Sequence, residues 1–270
     1  MKHILFMQNC FVPDENQFNR LKRSIESLIV LSKKTKTTNY NRYVLSGWIH
    51  EDYEREITEL VEELNDCLYF TDTYINLLST NAGKGVACNI TIKQYAHEYY
   101  WTHLFLFDND IVFEADSGDL PQILIEQQQE LNAISALKYP VISCNFKEHQ
   151  VHCEGALDFG AKTKHGTMRC STGNYGCIGG GCWLIDKPHW DKIGGYSTDA
   201  IYGKDDGQFY VDTICTKNCM VALSFDVYVI HPSDKDEVYN RFKADTNINR
   251  VRKMDYKELT EDSEKFWSKR

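Results

Sequence analysis

Short apolar runs and helical patterns take turns along the first 115 residues. "KHILFMQ" (2–8) is a nearly unbroken apolar run and reads as a strand. In "PDENQFNRLKRSIESLIVLSKK", Phe18, Leu21, Ile25 and Leu28 recur at helical spacing, with Arg20, Lys22, Arg23 and Glu26 between them. "YNRYVLSGW" reads as a second strand, and residues 51–65 as a helix with Ile57, Leu60, Val61 and Leu64 on one face. A short strand, "DCLYFTDT", and a glycine-containing turn, "STNAGKGVACN", lead to a helix from about Ala87 to Tyr100. "THLFLFDND" is again a strand, of the continuous apolar kind found in buried parallel sheet. Strands alternating with helices predict an α/β sheet joined by crossovers.

The second half changes character. "NYGCIGGGCWLIDKPHWDKIGGYSTDAIYGKDDGQFYVDTI" is dense in glycine and aromatic residues. Helical spacing returns from Gln208 to Cys215, and "MVALSFDVYVIHP" reads as a final strand. From Ser233 the chain is charged and weakly apolar, a pattern expected of a tail that wraps the surface or orders on binding. The expected organisation is one domain over 1–232, divided near residue 115 into two halves (1–115 and 116–232), followed by a tail over 233–270.

Composition narrows this little. The chain has 270 residues, enough for a large core, and 26% charged residues, ordinary for a soluble protein. A net charge of −9 implies no broad basic surface, so an acidic polymer is not the default partner, although net charge does not report distribution and leaves room for a local basic patch. No apolar run approaches the ~20 residues of a membrane span, and the first run is too short for a signal segment. The expectation is a soluble, cytoplasmic protein, in the host cytoplasm if the chain is viral. In that compartment the 10 cysteines are expected as reduced thiols, several of them small hydrophobes inside apolar runs. His149, His152, Cys153 and Cys170 are a conceivable zinc set, without paired C-x-x-C spacing.

The candidate chemistry starts at "FLFDNDIVFE". Asp108 and Asp110 stand at the end of a buried strand, where carboxylates are costly unless a cation pairs with them. If the pleat persists they share a face and point into the crevice where α/β sheets bind ligands. Paired carboxylates there suit Mg²⁺ or Mn²⁺ bridging to substrate phosphates, while D-N-D also suits a solvated turn. Gly83 and Gly85 flank Lys84 just before a helix, an arrangement that offers N–H groups and charge to an anion, or that merely joins two elements. His231 ends the last strand, where it can complete a metal site or be structural. Asp205 and Asp206 precede a helix and can act as base or as cap. Tyr175, Trp183, Trp190, Tyr196 and Tyr202 supply flat faces that suit sugar rings, or fill the core.

These pieces together resemble the GT-A glycosyltransferases, especially their family-two-like and galactosyltransferase-like branches. "FDNDI" looks like their D-x-D motif, and "NAGKGVACN", with Asn81, Gly83, Lys84 and Asn89, is similar to the asparagine–glycine helix start that precedes it. "GGGCWLIDKPHWDKIGGYSTD", with Gly180, Gly181, Trp183 and Tyr196, looks like the acceptor stretch; Tyr202 follows it, and "YGKDD" resembles the acceptor and base motif. His231 matches the histidine that often completes the metal site. The order agrees over roughly residues 80–232. Two departures stand out. Asp205 occupies the place of the usual glutamate, and "VLSGWIHED" lacks the aspartate that often holds the nucleotide base.

The resemblance implies a mostly parallel, Rossmann-like mixed sheet flanked by helices, with the charged tail appended. It implies an inverting hexosyltransferase that takes glucose or galactose from a UDP-sugar. Mn²⁺ or Mg²⁺ would be held by Asp108, Asp110 and His231, and the donor by Asp108, Asn81, Gly83, Lys84 and Asn89. Asp206, with Asp205 beside it, would be the base, or Asp205 if the register is one residue off. Gly180, Gly181, Trp183, Tyr196 and Tyr202 would face the acceptor, a sugar of a glycan or glycolipid head group. A short, Lys/Asn/Tyr-rich chain of this kind also looks like the sugar transferases of T-even-type phages. These act on hydroxymethylcytosine in DNA, and Arg241, Lys243, Arg250, Arg252 and Lys253 form a locally basic run in the tail, which also carries Asp236, Glu237, Asp245 and Asp255 and reads equally as a solvated surface. Two other classes compete. A nucleotidyltransferase needs a glycine-rich basic loop after its first strand, where this chain reads "MQNCFVPDENQ". A non-catalytic nucleotide-sugar-binding module has no need of paired carboxylates at 108/110 and 205/206.

Overall fold

The computed structural model describes residues 1–147, 159–170, 180–198 and 205–232. Its elements in chain order are β1 (His3–Val12), α1 (Glu15–Lys34), β2 (Tyr40–Ile49), α2 (Glu51–Asn65), β3 (Asp72–Leu77), α3 (Lys84–Glu98), β4 (His103–Phe107), α4 (Leu120–Ile134), β5 (Lys138–Lys147), β6 (Phe159–Thr163), β7 (Gly166–Cys170), β8 (Cys182–Asp186), α5 (Lys187–Ile193), α6 (Asp205–Cys215) and β9 (Cys219–Ile230). The strands form one mixed sheet in the order β3-β2-β1-β4-β8-β5-β9-β7-β6. β3, β2, β1 and β4 are mutually parallel. β8 runs antiparallel between β4 and β5, and β9 is parallel to β5. The α/β reading therefore holds.

Because β1 lies between β2 and β4 with helices on both faces, its residues are buried on both sides, which is why its pattern is a run and not an alternation. Ile4 and Phe6 point to a core that includes Phe18, Leu21 and Ile25 of α1 and Leu124 of α4. Leu5 and Met7 point to the other core, with Cys88 and Ile92 of α3, Trp183 of β8 and Phe209 of α6. Cys10, Cys67, Cys88, Cys144 and Cys182 are buried free thiols. Among the described residues no helix is long and apolar enough to cross a membrane.

Several elements depart from the sequence reading. "DCLYFTDT" is not a strand up to Thr73: β3 begins only at Asp72. Tyr69 and Phe70 are buried because their rings pack edge-on against Phe6 from a turn, so their apolarity reports core and not strand. Both α3 and α6 start three residues earlier than their apolar spacing indicates, at Lys84 and Asp205. Helix α4 and strands β5, β6 and β7 occupy a stretch for which the pattern makes no assignment. Residues 233–270, including the basic run of the tail, and the candidate zinc residues His149, His152 and Cys153 lie outside the described residues; so does the Cys170 side chain.

Two buried histidines make the fold acid-sensitive. Burial, reinforced by Lys2, lowers His103 to about 4, and burial with Lys192 lowers His189 to about 4. The unfolded chain takes up both protons near pH 6.5 and the folded one only near 4. Stability contributed by the neutral rings is thus present above pH 6.5 and lost as pH falls toward 4, on the order of 3 kcal/mol per histidine. His189→Gln, which removes one of the two, should flatten the fall of unfolding free energy between pH 6.5 and 4 by about one proton's worth relative to wild type, measured by urea titration.

Candidate active site

β4 ends at Phe107, and the chain then turns, with Ile111 N donating to Asp108 O (3.3 Å). The pleat does not continue to Asp110, so the two carboxylates acquire different partners. Asp108 Oδ1 meets Lys84 Nζ at 2.8 Å. Asp110 Oδ2 lies 3.7 Å from Arg20 Nη1, and its Oδ1 lies 3.7 Å from His231 Nε2. That Oδ1 is buried and has no hydrogen-bond partner among the described residues.

Lys84 is the first residue of α3, and Gly83 caps the helix with φ +88°, a conformation that favours glycine. Its ammonium also donates to Asp206 Oδ1 (2.9 Å) and to the carbonyl of Gly180 (3.3 Å). Burial pulls the Lys84 pKa down, but Asp108 and Asp206 outweigh it and the net shift is well upward. Burial raises the pKa of Asp108 and of Asp206, and Lys84 pulls both back. Asp205, 9% exposed, is raised to about 6 by burial and then by Asp206, with the Lys84 charge and then backbone N–H groups at the start of α6 opposing. The adjacent carboxylates therefore differ in role. Asp206 faces Lys84 with its side chain 31% exposed, and Asp205 is turned into the protein.

Gly180 explains how Asp206 comes so close. A Cβ there would overlap the Asp206 carboxylate, so only glycine fits. Asp108 N donates to Gly181 O (3.0 Å), which extends the β4–β8 ladder into the site. A Cβ on Gly181 would crowd Phe146, and the His231 ring packs edge-on against that same phenylalanine. These two glycines act by letting side chains approach.

Other expected site residues have structural employment. Asn89 donates to Tyr196 O (2.8 Å) and accepts from Tyr196 N (3.0 Å), tying α3 to the turn after α5, so its amide is not turned to a donor. Asn81 Oδ1 accepts from Gly83 N (3.1 Å) and shapes the turn before α3. Trp183 is fully buried against Phe209, and Tyr196 is 3% exposed between Trp190 and Phe209, beneath Lys84. Neither ring is presented to an acceptor, because both complete the core between sheet and α6. Tyr175 and Tyr202 lie outside the described residues.

A polar stripe on α1 is the part that sequence reasoning missed. Asn109 donates to Gln17 Oε1 (3.2 Å), Arg20 pairs with Asp110, Ser24 donates to Ile111 O, and Ser27 accepts from Phe113 N (3.0 Å). Positions 17, 20, 24 and 27 follow helical spacing along one face. Ser24 in turn accepts from Gln8 (2.7 Å), whose Oε1 accepts from Tyr43 (2.7 Å). A satisfied buried chain from β2 through β1 and α1 thus holds the loop after β4. The signal was present as polar residues interrupting an apolar helix at i, i+3, i+7 and i+10.

Among the described residues no three His, Cys, Asp or Glu side chains converge closely enough to form a metal cage by themselves. Asp110 and His231 do face each other with an orphaned carboxylate oxygen between them, a donor pair that fits an oxygen- and nitrogen-binding cation whose other ligands come from substrate and water.

The comparisons agree with this geometry at the level of fold. The chain is similar to residues 1–349 of S. aureus TarS, with a TM-score of 0.55 and 12% identity over 98% of this chain and 71% of that one. It is similar also to GalNAc-T7, solved with UDP, GalNAc and Mn²⁺, with a TM-score of 0.57 and 13% identity over 98% of this chain and 54% of that one. It therefore spans about half the length of the latter. The sequence matches no family model and no curated relative. What the chain shares with these proteins is the GT-A glycosyltransferase fold.

Removing the shared cation exposes the cost of the cluster. Lys84→Met leaves the half-buried Asp108 and Asp206 without it; breaking a fully buried pair costs about 3–5 kcal/mol, and with these side chains 28% and 31% exposed the loss should be smaller, on the order of 1–3 kcal/mol. Their raised folded-state pKa values mean that the penalty grows as pH rises above the ordinary carboxylate value near 4. The melting deficit of Lys84→Met should be large at pH 8 and shrink toward pH 4. An offset independent of pH would assign the loss to packing instead.

Proposed function

We propose that this protein is a nucleotide-sugar-dependent glycosyltransferase that moves a hexose, glucose or galactose, from a UDP-sugar to a sugar hydroxyl of a glycan or glycolipid head group, with inversion. The observation that carries the reading is the Lys84 ammonium joining Asp108, after β4, to Asp206, at the start of α6, beside the Asp110–His231 pair. This cluster lies at the C-terminal edge of the parallel strands, where open α/β sheets bind ligands. That GalNAc-T7 was solved with UDP, GalNAc and Mn²⁺ supports the donor and cation classes. Residues 1–115 would supply the donor half and 116–232 the acceptor half.

Asp110 and His231, with Asp108, would hold Mn²⁺ or Mg²⁺, whose chemistry there is to offset the charge growing on the leaving diphosphate. Lys84 and the N-terminus of α3 present positive charge to the same diphosphate. The acceptor oxygen attacks the anomeric carbon, the bond from that carbon to the diphosphate oxygen breaks, and the hydroxyl proton passes to Asp206. Burial raises the Asp206 pKa, Lys84 favours its ionised form against that shift, and Gly180 leaves the room the carboxylate needs. Asp205, turned inward, positions the start of α6.

The direct test is release of UDP from UDP-glucose and UDP-galactose with Mn²⁺, with and without sugar acceptors and glucosylated DNA. Release that EDTA abolishes is expected, together with loss of Mn²⁺-dependent donor binding in Asp110→Asn. No turnover of any nucleotide sugar with any acceptor would leave a binding module. Turnover with modified DNA alone would replace the glycan acceptor.

Asp206 separates catalysis from folding. An amide can cap a helix but cannot take a proton, and loss of a general base typically costs ~10²–10⁴-fold in rate. Asp206→Asn should stay folded, with a melting temperature lowered by the loss of one of the two carboxylates that hold Lys84, and lose most transfer activity. Asp205→Asn should raise acceptor KM more than it lowers kcat. A dead Asp205→Asn with an active Asp206→Asn would exchange the two roles.

A further inference from the structure

The polar stripe of α1 grips one peptide group of the loop after β4 in particular. The carbonyl of Ile111 accepts from the Ser24 hydroxyl, and the N–H of the same peptide, that of Val112, donates to Ile230 O (2.8 Å). Ile230 N donates back to Val112 O (2.9 Å). Asp110 is the residue before Ile111, and His231 is the residue after Ile230. The carboxylate and the imidazole that face each other at 3.7 Å are therefore carried on the two sides of a single peptide plane. A rotation of that plane moves one against the other.

Ser24 does not choose the direction of its own hydroxyl. It has one hydrogen to give, and Gln8 Nε2 already donates to its oxygen (2.7 Å), so the hydrogen goes to Ile111 O. Gln8 presents its nitrogen to Ser24 because its Oε1 accepts from the Tyr43 hydroxyl (2.7 Å). Burial, and then the Cys10 thiol, hold the Tyr43 phenol well above its usual pKa, so it keeps the proton it donates. All three bonds thus run one way, from β2 across β1 and α1 to the loop, and bonds aligned like this polarise one another. Turning the Gln8 amide over would put its oxygen against Ser24, where it would compete with the Ile111 carbonyl for the single hydrogen. Tyr43, Gln8, Ser24 and Ile111 are each 0% exposed, so bulk water cannot replace a lost member. Tyr69 supplies a contrast. It is a second buried tyrosine of the same core, but its hydroxyl donates to Asp119 (2.8 Å) at the start of α4.

We propose that Tyr43, Gln8 and Ser24 are positioning residues for the Asp110–His231 pair: the hydrogen-bond direction set by Tyr43 in β2 fixes the Ile111–Val112 peptide, and through it the spacing of the two side chains that take the cation. The inference rests on the reading of that pair as the holder of Mn²⁺ or Mg²⁺. Tyr43 acts through three hydrogen bonds and the loop backbone, so its hydroxyl changes cation affinity from a distance.

The test is Mn²⁺ binding by the full chain with UDP present, followed by electron paramagnetic resonance of free Mn²⁺ against UDP alone. Wild type should bind Mn²⁺ in a way that Asp110→Asn removes. Ser24→Ala should weaken Mn²⁺ binding about tenfold and Tyr43→Phe about threefold to tenfold, the effect of one hydrogen bond. Because the bonds act in series, adding Tyr43→Phe to Ser24→Ala should cost no further affinity. Tyr69→Phe also strips a hydroxyl from the core, and it should lower stability while keeping the wild-type Mn²⁺ affinity. In metal-free protein, amide exchange at Val112 should be faster in Ser24→Ala and Tyr43→Phe than in Tyr69→Phe. Wild-type Mn²⁺ affinity in Tyr43→Phe, losses that multiply in the double variant, or an equal loss in Tyr69→Phe would each overturn the positioning role while leaving Asp110 as a ligand. Absence of any Mn²⁺ binding that depends on Asp110 would overturn it together with the reading of the pair.

Discussion

The site depends on one ammonium group taken out of water. Lys84 sits at the positive end of α3, where a cation is disfavoured by the helix dipole, and it is buried besides. Only carboxylates on both sides can hold it there, and Asp108 and Asp206 do. The dependence is mutual, because each carboxylate is itself disfavoured by burial and repels the other. Three groups that would each be unstable alone thus form one arrangement that joins the start of α3, the end of β4 and the start of α6. Gly180 is part of the same constraint, since any side chain there would push Asp206 away.

A second, looser pairing stands beside the first. Arg20 and His231 flank Asp110 at 3.7 Å each, distances that leave the carboxylate held but not saturated. The α1 stripe fixes the backbone on which Asp110 is carried: Gln17, Ser24 and Ser27 bond to the loop, and Gln8 and Tyr43 anchor Ser24 from the sheet. The difference matters chemically. Asp108 pairs its Oδ1 with a protein cation, whereas Asp110 Oδ1 is buried without a hydrogen-bond partner among the described residues.

Local chemistry was legible in the residues themselves. An apolar run ending in D-N-D, a glycine turn before a helix with Lys84 at its start, and two aspartates before another helix are short-range features, and they mark where this sheet ends and where these helices begin. Strand and helix alternation likewise follows from short apolar runs and a 3.6-residue period, which need no knowledge of the partner. Those patterns determined the α/β class, β1, β2, β4 and β9, and helices α1 and α2, and they singled out Lys84, Asp108, Asp110, Asp206 and His231.

Tertiary structure alone decided who meets whom. Lys84 and Asp206 are 122 residues apart, and no periodicity encodes that contact. Sequence placed Asp108 and Asp110 on one face of a continued strand; the turn after Phe107 gave them different protein partners, Lys84 and Arg20. Asn89, Trp183 and Tyr196 have the residue types of a binding site, yet burial and backbone hydrogen bonds commit them to the core. Tyr69 and Phe70 look like strand for the converse reason, since an aromatic ring can be buried from a turn as well as from a sheet. A side chain's type states what it can bond to, but which of those bonds forms is set by the packing of elements remote in sequence, and that is a property of the folded sheet and its helices.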